Sequence, residues 1–298
     1  MKNFNLDHLQ TFVAVIRHGS FSAAADSMDI SQPAVSQQVR QLERTLGTPL
    51  VERVGRRARA TAAGQELLGH AAQIEAAVDA AVEAVSRRAG SAAGRVRLGT
   101  GATACIFLLP AVLKDLRRRF PALEITVSTG NTADIAKAVE DNLLDVGLVT
   151  MPVSGRMFEI TPVLDDEFVL LAPPGMALPA RVTAAALADQ PVLLFEPGGN
   201  TRRITDEWFA RAGVRLAPVM SLGSVEAIKE LVSAGLGCAI LPAMAVPQAK
   251  PKGGMTVHPL SPRLQRRLAV VIRRDKRLHA GLADVVRSLE QLGRKPGR

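Results

Sequence analysis

The residues of this chain best suited to chemistry lie between Ser31 and Arg59, and the chemistry they suit is recognition rather than catalysis. Laid out at ~100° per residue, the stretch from Gln32 to Leu46 puts Pro33, Ser36, Gln37, Arg40 and Arg44 on one side of a helix. Val35, Val39, Leu42 and Leu46 fall on the other side. An apolar stripe of that kind fixes a helix and leaves a donor-rich face outward. Gln and Arg each present paired hydrogen-bonding groups to base edges, and the major groove of B-DNA admits a helix. Ser31, as N-cap, and the helix N-terminus itself suit phosphate contacts. Just downstream, "TPLVERVGRRARAT" carries Arg53, Arg56, Arg57 and Arg59 on two short extended runs, a candidate β-hairpin wing for backbone or minor-groove contacts.

A second set of polar residues follows apolar runs further along. It comprises Thr100, Gly101 and Thr103; Ser128, Thr129 and Asn131; Thr150; Gly199, Asn200 and Thr201; and Ser221 and Ser224. In open parallel sheets ligands sit beyond the C-terminal strand ends. Several of these residues open helices, where free N–H groups and the positive dipole end favour an anion. Their recurrence predicts a cleft for a small, anionic molecule, with Arg202 and Arg203 adding charge and Val153 and Phe158 offering apolar wall or core.

The elements that must position these groups are legible in the pattern. Leu6, Leu9, Phe12, Val13 and Ile16 predict a first helix stopping near Gly19. Ser20 or Ser22 caps a second, whose Ala24 and Ala25 permit close helix approach. Pro33 falls in the first turn of the third, where its missing N–H costs little. From Thr61 to about Arg88, Leu67, Ala71, Ile74, Val78, Ala81 and Val85 are spaced as a heptad seam. That seam serves either to pair two chains or to lay the helix on its own domain. "GSAAG" at Gly90–Gly94 reads as a hinge. Beyond it strands and helices alternate, the signature of a parallel sheet with covering helices. Two similar lobes are expected, crossing near Thr161–Asp165 and Leu264–Leu268. The helical run "ATACIFLLPAVLKDLRRRF" is expected to break or kink near Pro110.

Composition narrows the function. The 298 residues carry 37 Lys+Arg against 28 Asp+Glu, a net charge of +9, which favours a polyanion partner. With one Trp, nine Phe and no Tyr, a stacking platform for single strands is not expected. No stretch reaches the ~20 apolar residues of a membrane span, and "MKNFNLDHLQTFVAV" lacks a signal-peptide run. Cys105 and Cys238 alone form neither a disulfide framework nor a metal cluster. A cytoplasmic protein is the natural reading.

The segment "LDHLQTFVAVIRHGSFSAAADSMDISQPAVSQQVRQLERTLGTPLVERVGRRARATAAG" resembles the winged helix–turn–helix of the LysR-type transcriptional regulators. The resemblance rests on "GSFSAAA", "SQPAVSQQVRQLE", "LGTPLVER" and "TAAG" in order. It implies that the helix after Ser31 is a recognition helix, with Gln32, Pro33, Ser36, Gln37 and Arg40 at or near DNA. It implies a linker helix that dimerises, and dimers or tetramers. The stretches from Gly94 to Thr150, "NTRRITDEWF" and "SVEAIKELVSAGLGCAILP" resemble the family's effector lobes, of periplasmic-binding-protein fold. Carried over, the family's cleft positions fall on Thr100, Thr103, Thr129, Thr150 and Thr201.

The expected organisation is therefore a winged helix–turn–helix at 1–60, a linker helix at 61–90 and a two-lobed α/β effector domain at 91–298. Lobe I covers about 95–162 and 267–292, and lobe II about 163–266. The expected function is a DNA-binding transcriptional regulator without cofactor or catalysis, partnered by double-stranded DNA, a small effector and further copies of itself. An enzyme is disfavoured because His8, His18, His70, His258 and His279 fit no triad or metal spacing, and "GTGATA" departs from GxGxxG. A solute-binding protein would leave the first ninety residues without purpose. A thiol sensor is the remaining rival, since Cys105 falls early in a helix. The two cysteines, however, do not match the spacing of a peroxide-sensing member of the family.

Overall fold

The computed structural model describes residues 4–55, 57–86, 94–246 and 252–293. The chain divides into two compact units, Met1–Ala89 and Gly90–Arg298.

In the first unit three helices, α1 (Leu6–His18), α2 (Phe21–Met28) and α3 (Gln32–Leu46), surround one core. Each has its start and stop written locally. Asn5, Ser20 and Ser31 accept first-turn N–H groups, and Gly19, Asp29 and Gly47 end the helices in the left-handed conformation. Leu9, Phe12 and Val15 of α1 meet Val35, Val39 and Leu42 of α3 across Ala24 and Ala25, all buried. The strands β1 (Val51–Val54) and β2 (Arg57–Ala60) pair antiparallel as a hairpin, tied back by Ala58 N–H donating to Gly19 O at 2.8 Å.

The long helix α4 (Ala62–Ser86) starts against that hairpin. Gly64 is required there, because a Cβ would sit 2.2 Å from Leu50 O. Leu67, Ala71 and Ile74 pack into the core of their own unit, while Val78 is 37% exposed and Ala81 is exposed. The first half of the heptad seam is thus spent within the chain. Val85 lies where side chains are not described, and the GSAAG hinge, Gly94 excepted, lies outside the described residues.

In the second unit the lobe I strands β3 (Arg95–Thr100), β4 (Glu124–Thr129) and β5 (Val146–Thr150) are parallel. Helices α5 (Ala102–Phe107), α6 (Leu109–Arg119), α7 (Thr132–Glu140) and α10 (Ala280–Glu290) cover them. The break before Pro110 falls at Leu108, between α5 and α6. Lobe II holds β7 (Val192–Phe195), β8 (Met220–Leu222), β9 (Cys238–Pro242) and β10 (Thr256–Pro259), with α8 (Asn200–Arg211) and α9 (Val225–Ser233). Its sheet is covered on both faces. Leu170, Leu194 and Ile240 pack toward Trp208 and Phe209, whereas Leu171, Leu193 and Leu241 pack toward Val225, Ile228 and Val232. That is why these strands read as unbroken apolar runs.

Two strands join the lobes, β6 (Phe158–Ala172) and β11 (Gln265–Arg273), in the order β4-β3-β5-β11-β6-β9-β7-β8, with β10 on β6. Through Glu167, β6 pairs with β11; from Phe168 it pairs with β9. Strand pairing therefore puts the crossings at Glu167–Phe168 and near Leu264–Gln265, a few residues from Thr161–Asp165. Val163 and Leu164 accordingly pack into the lobe I core. The register shifts where Ala269 faces Pro162 and Leu268 faces Leu164. A bulge lets the strand carry a proline, which has no N–H for the ladder.

Candidate nucleic-acid interface and ligand cleft

On α3 the stripe Val35, Val39 and Leu42 is buried, with Leu46 half-buried, while Ser31, Gln32, Pro33, Gln37, Arg40 and Arg44 are exposed. Ser31 Oγ accepts from Ala34 N–H, so its hydroxyl is engaged as a cap. Gln32 Nε2 donates to Ser36 Oγ at 2.8 Å, which holds Ser36 half-buried between two exposed glutamines. The expected outward face is therefore present on the helix, with the Ser36 hydroxyl already engaged by Gln32.

Glu43 of α3 fixes the wing. Its Oε1 accepts from Leu50 N–H at 2.8 Å and Val51 N–H at 3.2 Å, clamping the start of β1 and the residue before it to the helix. In the hairpin Ala58 faces the core, and Arg53, Arg57 and Arg59 are exposed. Arg56 lies outside the described residues. Among the described residues Arg40, Arg44, Arg53, Arg57 and Arg59 make no ion pair. Five guanidinium groups without an ion-pair partner on one small unit form a surface for a polyanion, because none of them is already held by a carboxylate.

The second unit holds a cavity of about 400 Å³ between the lobes. Of the residues expected there, Gly101, Thr103, Thr129, Asn131, Thr150 and Thr201 line it. Thr100 does not. It is fully buried within the β3–β5 ladder, and its hydroxyl donates to Leu148 O at 2.8 Å. A side chain still inside the ladder gives its hydrogen bond to the next strand. Ser224 is also off the cleft wall; its hydroxyl caps α9 by accepting from Ala227 N–H. Ser221 accepts from Arg202 Nη1. Phe158 is buried in the core against which Val153 packs, and Arg203 pairs with Glu207 on the outer surface of α8.

Asn200 and Arg202, both expected at the cleft, line it, and Arg266 joins them without having been expected. Asn200 Nδ2 donates to Thr150 O at 2.6 Å and to Pro152 O at 2.9 Å, a tie from lobe II to the strand end of lobe I. Arg202 lines the wall while bonding Phe195 O and Asp206. Arg266 lies on the floor, 4% exposed, donating to Asp166 at 3.0 Å and to Thr201 Oγ1 at 3.1 Å. Burial drives the Asp166 carboxyl upward and Arg266 pulls against it; burial likewise presses on the guanidinium. The signal in the sequence was a charge opening the apolar run "RRLAVVIRR", where a strand interior has no reason to carry arginine unless it is paired.

The first turn of α8 opens on Gly199, which offers no side-chain cap, so its N–H groups face the cleft unclaimed by a side chain. Both arginines have carboxylate partners, and Glu196 and Asp134 also reach the wall. Donors for an acceptor-bearing ligand therefore come chiefly from main-chain N–H and threonine hydroxyls rather than free charge. Among the described residues no group of His, Cys, Asp and Glu could hold a metal, and no helix is long and apolar enough to cross a membrane. Burial pushes the Cys238 thiol up to about 11, and Cys105 packs partly buried against the lobe I core.

Comparison with known proteins covers both units. Residues 6–65 match the family model of the bacterial regulatory helix-turn-helix protein, lysR family, and residues 89–294 match the LysR substrate binding domain. The HTH-type transcriptional activator CmpR of Synechocystis is 32% identical over 243 residues, covering 81% of this chain and 80% of that one. A probable hydrogen peroxide-inducible genes activator of Mycobacterium avium is 35% identical over 270 residues, 89% of this chain and 86% of that one. The crystal structure of full-length CbnR complexed with the target DNA superposes with a TM-score of 0.76 at 21% identity, over 97% of this chain and all of that one.

Proposed function

As the chain belongs to the LysR family of bacterial helix-turn-helix transcriptional regulators, we propose that α3 enters the major groove of its operator with Gln32, Ser36, Gln37 and Arg40 toward base edges. Arg53 and Arg57 of the wing grip the adjacent backbone, and Arg56 belongs to the same hairpin. Paired copies of the chain read two half-sites, joined through what remains exposed of α4. The observation that carries this reading is the set of unpaired arginines beside an outward, donor-rich helix face that the Val35–Val39–Leu42 stripe holds in place.

We infer that the interlobe cleft takes a small effector presenting acceptor oxygens, a carboxylate or similar anion, to the first turn of α8, Thr103 and Thr201. The ligand acts by binding one arrangement of the lobes more tightly than another, since equal affinity shifts nothing. The rival reading, a peroxide-responsive thiol, would rest on half-buried Cys105 and not on Cys238, which is fully buried and whose pKa burial raises to about 11.

The test is a salt titration of duplex binding by the intact protein. Arg57→Ala should weaken all duplexes alike and reduce the log–log salt slope by about 1. Arg40→Ala should instead lose about tenfold or more in preference for target over random duplex. Unchanged preference in Arg40→Ala removes α3 from base readout.

A further inference from the structure

Thr11 is the one fully buried polar side chain among the described residues of the first unit. It lies on α1, between Leu9 and Phe12, in an interface otherwise made of Val, Leu, Phe and Ala. Its hydroxyl is shared between the Asp7 carbonyl one turn earlier, at 2.9 Å, and the side-chain oxygen of Gln38 on α3. Gln38 sits between Gln37, on the outward face, and Val39, in the core. We propose that the Thr11–Gln38 bond is the register pin of the recognition helix: a positioning contact that sets the rotation of α3 about its axis and so decides which base edges Gln37 and Arg40 meet.

The physical reason is the difference between apolar and polar contacts. The surface of Val35, Val39 and Leu42 against α1 is non-directional and tolerates small rotations at little cost. A hydrogen bond weakens steeply with distance and angle. A site of recognition must be held within roughly 10–20° of its working geometry. A single buried polar group in an apolar helix interface is a known way to fix register at the expense of stability. Thr11 is fully buried and so touches no DNA itself; whatever it does to sequence preference passes through Gln38. The cap at Ser31 and the clamp at Glu43 hold the two ends of α3, and the Thr11 contact falls midway between them.

This rests on α3 being the recognition helix, and the experiment separates the two ideas. The full chain selects from a randomised duplex library, as wild type and as Thr11→Val, Thr11→Ser, Gln38→Met and Arg40→Ala. Valine keeps the shape of threonine and removes the hydroxyl; serine keeps the hydroxyl. The expected result is that Thr11→Val and Gln38→Met enrich a degraded motif, with preference for the best wild-type site over random duplex down about tenfold. Thr11→Ser should enrich the wild-type motif, and affinity for random duplex and its salt slope should be unchanged in all three. If Arg40→Ala alters the motif while Thr11→Val selects the wild-type site at full depth, the pin is refuted and the recognition helix stands. If Arg40→Ala also leaves the motif intact, the recognition helix itself falls. Equal losses on target and random duplex in Thr11→Val mean a stability effect and refute the pin. Should Thr11→Val fail to fold, Gln38→Met, at a half-buried position, decides by the same criteria.

Discussion

At the scale of single residues, what a side chain does here follows from how its polar atoms are already spent. Thr100 and Thr201 both end or begin elements at the cleft, and both were expected to meet ligand. Thr100 has given its hydroxyl to Leu148 O, whereas Thr201 accepts from Arg266 and so keeps its own proton for the cavity. Thr201→Val should therefore impair the response to effector while leaving basal DNA binding intact. Thr100→Val should leave effector affinity unchanged and lower stability by about 0.5–1.5 kcal/mol, the net worth of the hydrogen bond to Leu148 O. Equal loss of ligand-induced stabilisation in both variants would return Thr100 to the cleft. On the proposed reading Arg40 reads bases and Arg57 holds backbone, and their alanine variants should accordingly differ in salt slope.

Elements follow from residues, but neighbours redirect them. The heptad seam of α4 is periodic throughout, yet Leu67, Ala71 and Ile74 are taken by the core of the same unit. The surface left for a partner starts at Val78. A Val78→Glu change should weaken self-association, measured by sedimentation at micromolar concentration. An unaltered dimer would place the pairing surface elsewhere. In lobe I, Asp145, just before β5, ties β3 to the segment after β11: it accepts from Arg97 N–H at 2.7 Å, from the Arg97 guanidinium, and from Lys276 at 2.7 Å. Burial raises its pKa, but the hydrogen bonds from Arg97 and Lys276 outweigh that, so the carboxyl sits below its usual range. A depressed carboxylate contributes stability that is complete above about pH 4 and is lost as pH falls through the folded value. Asp145→Asn should cost about 3 kcal/mol near neutrality, and the cost should shrink toward pH 3. A pH-independent loss would mean that packing, not charge, is at stake.

For the whole molecule, the cores say how it is partitioned. Among the described residues, the core of the first unit and those of the second share no member. A chain of residues 94–293 should therefore fold alone, with one cooperative thermal transition that a cleft ligand raises. The lone tryptophan, Trp208, is buried on α8, and its indole donates to Pro262 O near the return crossing. Its fluorescence should respond to ligand in the fragment as in the intact protein. A fragment that unfolds without cooperativity would show that the units depend on each other.

The sequence by itself determined what is local. Caps at Ser20 and Ser31, stops at Gly19 and Gly47, the stripe on α3, the break before Pro110 and the alternation of strand and helix all depend on residues within a few positions. So the fold class and the outward face of α3 were legible. Only the tertiary structure decided how polar groups pair across the chain. It gave the hydroxyl of Thr100 to Leu148, turned Ser224 to capping, and joined Arg266 to Asp166, 100 residues away. It also shifted the lobe crossing to Glu167–Phe168, where β6 exchanges one partner strand for another. A hydrogen bond or a strand pairing is a choice among distant partners, and spacing along one chain carries no record of which partner arrives.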